Sequence, residues 1–160
     1  MIPLDEYARL MGYPPGKPLE GDVLARAEEA IAWYREHGRP REMRRGQVAA
    51  FTAGPEVEAR VAELWKQDRV DEAFFLDRLA AGIVEQMARA IGHYSPGYKG
   101  FPIEAQAELM AILGPEAPVE LLSSGMLKPV NSLLAVIAPE LTSPTSCSDC
   151  DYRCTFRRTA

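Results

Sequence analysis

Cysteine is missing from this chain until Cys147, and no apolar run approaches the roughly 18 residues that a membrane-spanning helix needs. The three cysteines that do occur, Cys147, Cys150 and Cys154, form an odd-numbered cluster, which makes a poor disulfide framework and a better ligand set. Positive charge is also scarce: 18 Lys and Arg face 23 Asp and Glu, for a net charge of −5. Nucleic acid and anionic membranes gain nothing from such a surface, so neither is an expected partner. The first residues lack the basic-then-apolar pattern of a secretion signal, with Asp5 and Glu6 arriving early, and the expected location is the cytoplasm. No glycine-rich nucleotide loop follows a strand pattern, no acid–base pair stands at an evident spacing, and no internal repeat or low-complexity tract appears. A catalytic role has little support.

What is present is enough apolar residue in 160 positions for one domain with its own core. Residues 5–11 suggest a short helix, ended by residues 12–18, which hold three prolines and two glycines. Asp22 is suited to cap a second helix, in which Leu24, Ala27, Ile31 and Tyr34 recur at helical spacing as far as about His37. The basic run at residues 39–45, with Arg39, Arg41, Arg44 and Arg45, reads as a solvated stretch between helices. Residues 47–52 read as a short strand or extended link.

Gly54-Pro55-Glu56 opens a further helix, with Pro55 in the first turn, Glu56 and Glu58 opposing its positive end, and Val57, Val61 and Leu64 as its buried stripe. The pattern breaks at residues 68–71. A longer helix then runs to about Ile91, carrying Phe75, Leu79, Ile83 and Met87. Residues 92–101 are rich in Gly, Pro and Tyr and predict a loop, after which Pro102 starts a helix with Ile103, Leu109, Met110 and Leu113. Short apolar runs at 119–122, 125–127 and 132–138 are bounded by turn residues and predict antiparallel strands. Helices first and strands later imply an α+β single domain, helices packed on a small antiparallel β-sheet.

In the tail, Cys147, Cys150 and Cys154 leave a two-residue gap that lets two thiolates reach one metal. A fourth ligand could come from His93, His37, Asp149, Asp151 or a partner. An iron-sulfur cluster fits this set and would suit one-electron chemistry; zinc would tie down a terminal segment; free thiols are the remaining alternative. Arg153, Arg157 and Arg158 would lower the thiol pKa values or face an anionic partner.

Four landmarks follow one another along the chain: Thr52-Ala53-Gly54-Pro55-Glu56-Val57, Asp77 with Val84-Glu85, Tyr94-Ser95-Pro96-Gly97-Tyr98, and Ser124-Gly125-Met126-Leu127-Lys128-Pro129 with Ser132. In this order they resemble the activation domain of vitamin B12-dependent methionine synthase, and most closely its short stand-alone members with a cysteine-rich tail. The resemblance covers residues 1–141, with 142–160 as the tail. It implies a module that docks on a corrinoid-binding protein or methyltransferase and assists reductive reactivation of its cobalamin, which belongs to the partner. It also implies a shallow groove for S-adenosylmethionine, with Glu85, His93, Tyr94, Ser95, Pro96, Gly97 and Tyr98 as the matching ligand-binding positions.

Three departures weigh against that ligand. His93 stands where the family has arginine, and an imidazole with a reference pKa of about 6.5 lacks the permanent two-pronged cation that holds a carboxylate. Ala81 aligns with a ligand-binding glutamate, although Glu85 lies one turn along the same face. Ser123-Ser124-Gly125 removes another acid. The tail is open to direct measurement: anaerobically purified protein is expected to carry stoichiometric iron with acid-labile sulfide, or stoichiometric zinc, and metal-free protein with three titratable thiols would refute the ligand reading of Cys147, Cys150 and Cys154.

Overall fold

The computed structural model describes residues 2–14, 16–98 and 100–137, so the expectation for the three cysteines lies outside the described residues. Five helices pack with a four-stranded and a two-stranded antiparallel sheet in a single α+β domain. The order is α1 (Leu4–Leu10), α2 (Gly21–His37), β1 (Arg41–Arg45), β2 (Val48–Thr52), α3 (Pro55–Lys66), α4 (Val70–Arg89), β3 (His93–Tyr94), α5 (Gln106–Leu113), β4 (Glu120–Leu121), β5 (Leu127–Lys128) and β6 (Ser132–Ile137).

The larger sheet runs β1-β2-β6-β3, every neighbour antiparallel. Every residue of β2 is buried, because the strand's two-residue period feeds two separate cores. Ala49 and Phe51 join the core under α1 to α4, while Val48 and Ala50 join a second core with Leu109 and Leu113 of α5. Its neighbour β6 divides the same way, with Leu133, Ala135 and Ile137 toward the four helices and Leu134 and Val136 toward α5. The molecule therefore has three layers: four helices, the sheet, and α5 with the β4–β5 hairpin.

The four helices gather around α4, which α1, α2, α3 and β6 all touch. Its buried residues are Ala73, Leu76, Leu79, Ala80, Gly82, Ile83, Val84 and Ala88, more than half the helix circumference. The expected stripe was too narrow: Leu79 and Ile83 are buried, while Phe75 and Met87 pack only partly against the core. Gly82 explains how α1 reaches it. A Cβ there would meet Leu10 Cδ1 at 2.5 Å and Ile2 Cδ1 at 2.6 Å, so α1 lies on a flat spot of α4, where the Tyr7 hydroxyl donates to the Phe75 carbonyl at 2.6 Å.

Several local expectations change. Asp22 lies inside the first turn of α2, whose cap position is Glu20, so Asp22 opposes the helix dipole without capping. The basic run is a strand, β1, because β2 offers its backbone a partner while its charged side chains stay in water and Met43 packs against the second core. Within the expected loop, His93 and Tyr94 pair with Ile137 and Val136. Pro102 leads first into a single 3₁₀ turn, Ile103–Ala105, with Ile103 half exposed, before α5 begins. The strands expected after residue 118 and the helix opened by Pro55 are present. Among the described residues no helix is long and apolar enough to cross a membrane.

Gly54 precedes α3 with φ +104°, and a Cβ there would lie 2.5 Å from the backbone carbonyl oxygen of Arg39. Gly12 has a comparable φ of +88° but open space around it. Gly12→Ala is expected to cost about 1 kcal/mol, the left-handed backbone penalty alone. Gly54→Ala should cost at least about 2 kcal/mol more, since a backbone clash cannot be relieved by a rotamer change. Urea denaturation of the two variants checks the difference.

Candidate functional site

A shallow groove of about 240 Å³ opens where the C-terminal half of α4, strand β3 and the start of β6 meet. Its walls are Ala81, Val84 and Glu85 from α4, His93 and Tyr98, and the stretch Val130, Asn131, Ser132 and Leu133.

The Tyr98 side is shaped by a tight turn. The Tyr98 amide donates to the Ser95 carbonyl at 3.0 Å, Gly97 to Phe101 at 2.7 Å, and Phe101 back to Tyr98 at 2.9 Å. Gly97 takes φ +93°, a conformation that a side chain would strain. Tyr94 stacks on Phe101, with ring centroids 5.5 Å apart and planes 3° from parallel, and meets Tyr98 edge-on at 5.5 Å. Tyr94 thus supports the turn from behind, and Tyr98 is left to line the groove. Ser95 is fully buried, its hydroxyl without a hydrogen-bond partner among the described residues.

The opposite wall is pinned from three directions. Asn131 Nδ2 donates to Asp77 at 2.9 Å, the Ala53 amide donates to the Asn131 carbonyl at 3.0 Å, and the Ser132 hydroxyl donates to the Pro129 carbonyl at 2.6 Å. Val130, between these anchors, is 53% exposed, an apolar side chain held out at the groove. Neither Val130 nor Asn131 is singled out by sequence pattern, because no periodicity governs the residues just before a strand; only the adjacent Ser132 carried a signal.

The groove is electrostatically muted. Burial pushes the His93 imidazole below its ordinary pKa of 6.5; a hydrogen bond to the Ala88 backbone and the charge of Glu85 oppose this, and Arg89 adds to it. The ring is therefore neutral at neutral pH, with Nε2 facing the Tyr98 hydroxyl at 3.1 Å. To ligate a metal, His93 would have to give up one of these bonds. Glu85 is paired with Arg89, and with Arg9 at 3.5 Å; both arginines also hold Glu6, at 2.7 Å from Arg9 and 3.3 Å from Arg89. Two acids and two bases thus cancel. Among the described residues no Lys or Arg lines the groove, so a ligand carboxylate would meet no cation there.

Of the residues singled out from the sequence, Glu85, His93 and Tyr98 come together at the groove, while Tyr94, Ser95, Pro96 and Gly97 form the turn behind it. Among the described residues no three His, Cys, Asp or Glu side chains gather as a metal site. A larger, mostly apolar hollow of about 470 Å³ between α1 and residues 14–19 gathers none of the singled-out positions. No family model matches the chain, and no curated protein matches it.

The buried, neutral His93 makes stability depend on pH. The unfolded chain takes up a proton as pH falls through about 6.5, while the folded chain resists until lower pH, so the folded state is favoured above that value and loses ground below it. The limit for one group is about 1.4 kcal/mol per pH unit. His93→Gln, which keeps a polar side chain that takes up no proton, should flatten the decline of the thermal midpoint between about pH 6.5 and pH 5. An unchanged slope would mean that His93 does not carry it.

Proposed function

We propose that this chain is a non-catalytic accessory module that docks on a corrinoid-binding protein and assists reductive reactivation of the cobalamin held by that partner, in the cytoplasm. One observation carries this reading. Glu85, His93, Tyr98 and Ser132, far apart in the chain and each lying in a stretch through which the sequence resembles the methionine synthase activation domain, line a single groove, and Asp77 braces its wall through Asn131. Chance resemblance of separate segments gives no reason for them to converge.

The same groove argues against S-adenosylmethionine. That ligand brings a carboxylate, an ammonium and a sulfonium, and the groove offers no cation for the first and, as its one charged group for the others, a carboxylate already paired with two arginines. Its 240 Å³ also falls short of the roughly 300 Å³ at which sites begin to bury a ligand of drug size. The residues present do not fit the zwitterion, and methyl transfer from it is no part of this proposal. The spacing of Cys147, Cys150 and Cys154 favours a compatible second role, an electron-transfer accessory whose tail holds an iron-sulfur cluster or, in a purely structural version, zinc.

Native mass spectrometry with corrinoid proteins encoded in the same genome should detect a one-to-one complex, weakened about tenfold or more by Tyr98→Ala, which removes a groove wall. Failure to bind any of them would defeat the proposal. Calorimetric titration with S-adenosylmethionine up to about 1 mM should give no saturable heat; tight binding would restore the ligand and sink the argument from the groove.

A further inference from the structure

The arginine-rich residues of β1 stand at the edge of the larger sheet. Among the described residues β1 pairs only with β2, so its other side carries backbone groups with no strand partner. Which groups these are follows from the hairpin. A two-residue turn, Gly46-Gln47, closes on Arg45 opposite Val48, and such a turn closes on a hydrogen-bonded pair. Alternation then makes Met43 with Ala50 and Arg41 with Thr52 hydrogen-bonded pairs as well. The N–H and C=O of Glu42 and Arg44 therefore point toward the open edge, spaced to receive an extended chain.

The side chains decide what kind of chain. Residues 39–45 hold four arginines and one glutamate in a protein of net charge −5. Arg41 pairs with Glu56 at 2.7 Å and Arg44 with Glu42 at 3.2 Å. Arg39 donates to the carbonyls of Glu36 and Gly38, and Arg45 to that of Ile112 at the end of α5. Those carbonyls hold the guanidinium groups in place without cancelling their charge, so four arginines against two acids leave the edge positive by two. We propose that the β1 edge takes up an acidic extended segment of a partner protein as an added antiparallel or parallel strand, through the backbone groups of Glu42 and Arg44 and the charges of the surrounding arginines.

Charge selects among the occupants. A second copy docked antiparallel about Met43 would set Arg41 against Arg45 twice, which is destabilising across a ladder, while its two Glu42–Arg44 contacts would only replace the pair that each copy already makes within itself. A polyphosphate backbone could meet the arginines but could not donate to the outward carbonyls of Glu42 and Arg44. An acidic peptide satisfies both sets. Charges on an edge also guard against indiscriminate strand pairing, and here the same arginines that repel basic and like edges admit an acidic one.

The test is fluorescence anisotropy with the full chain and a labelled heptapeptide alternating glutamate and valine. Saturable binding is expected at about 50 mM salt, weakened about tenfold or more at about 500 mM. The lysine–valine counterpart should not bind. The Arg39→Glu, Arg44→Glu double variant, checked for native circular dichroism, should lose binding about tenfold or more. A glutamate–valine peptide N-methylated at alternate amides keeps its charge but cannot pair as a strand, and it leaves the protein untouched, so its failure to bind would isolate the backbone contribution. Equal binding by the methylated or the lysine peptide, or no binding of the acidic peptide at low salt, would overturn the proposal.

Discussion

The structure depends on the burial of β2 from both sides. Val48, Ala49, Ala50, Phe51 and Thr52 have no exposed face, and a strand can be in that position only if two cores are built against it. The helices α1 to α4 supply one, α5 and the hairpin the other, and β6 repeats the division beside it. Small residues make the sandwich close. Ala49, Ala50 and Ala135 let layers approach the sheet, and Gly82 does the same for α1 on α4.

The groove is a by-product of this layering. The C-terminal half of α4 crosses the helix side of the sheet near β6, and β3, too short to cover that region, ends beside it. What remains is a hollow with a helix on one wall and the pinned stretch before β6 on the other. Its lack of net charge follows from the same geometry: α1 sits against α4 at Gly82, which brings Glu6 and Arg9 beside Glu85 and Arg89 and closes a four-membered ionic network. A glutamate that could have attracted a ligand's ammonium is instead part of the framework.

The two ends of the molecule differ in chemical character. At the groove, a neutral histidine, a tyrosine and an exposed Val130 stand beside the paired Glu85 and the polar Asn131 and Ser132, a mixed rim suited to a protein surface more than to a charged small molecule. At the opposite sheet edge, β1 presents backbone groups and positive charge. The sheet order β1-β2-β6-β3 keeps β1 and β3 apart by two strands, so the proposed docking surface and the proposed strand-binding edge can be occupied at the same time.

The sequence by itself determined the composition of the layers and several boundaries. Pro55 after Gly54 opened α3 where expected, the break near Asp68 separated α3 from α4, and the apolar run at 132–138, bounded by turn residues, gave β6, because these signals act over a few residues and need no distant partner. It also marked Glu85, His93 and Tyr98, through resemblance. Only the tertiary structure decided the rest. Residues 39–45 became a strand because β2 offered them a backbone partner, and His93 and Tyr94 because β6 did; neither segment carries an apolar alternation of its own. The breadth of burial around α4 came from four neighbours, which no single periodicity encodes. Val130 and Asn131 joined the groove through anchors 54 and 79 positions away in sequence, at Asp77 and Thr52, and a contact of that separation leaves no local trace.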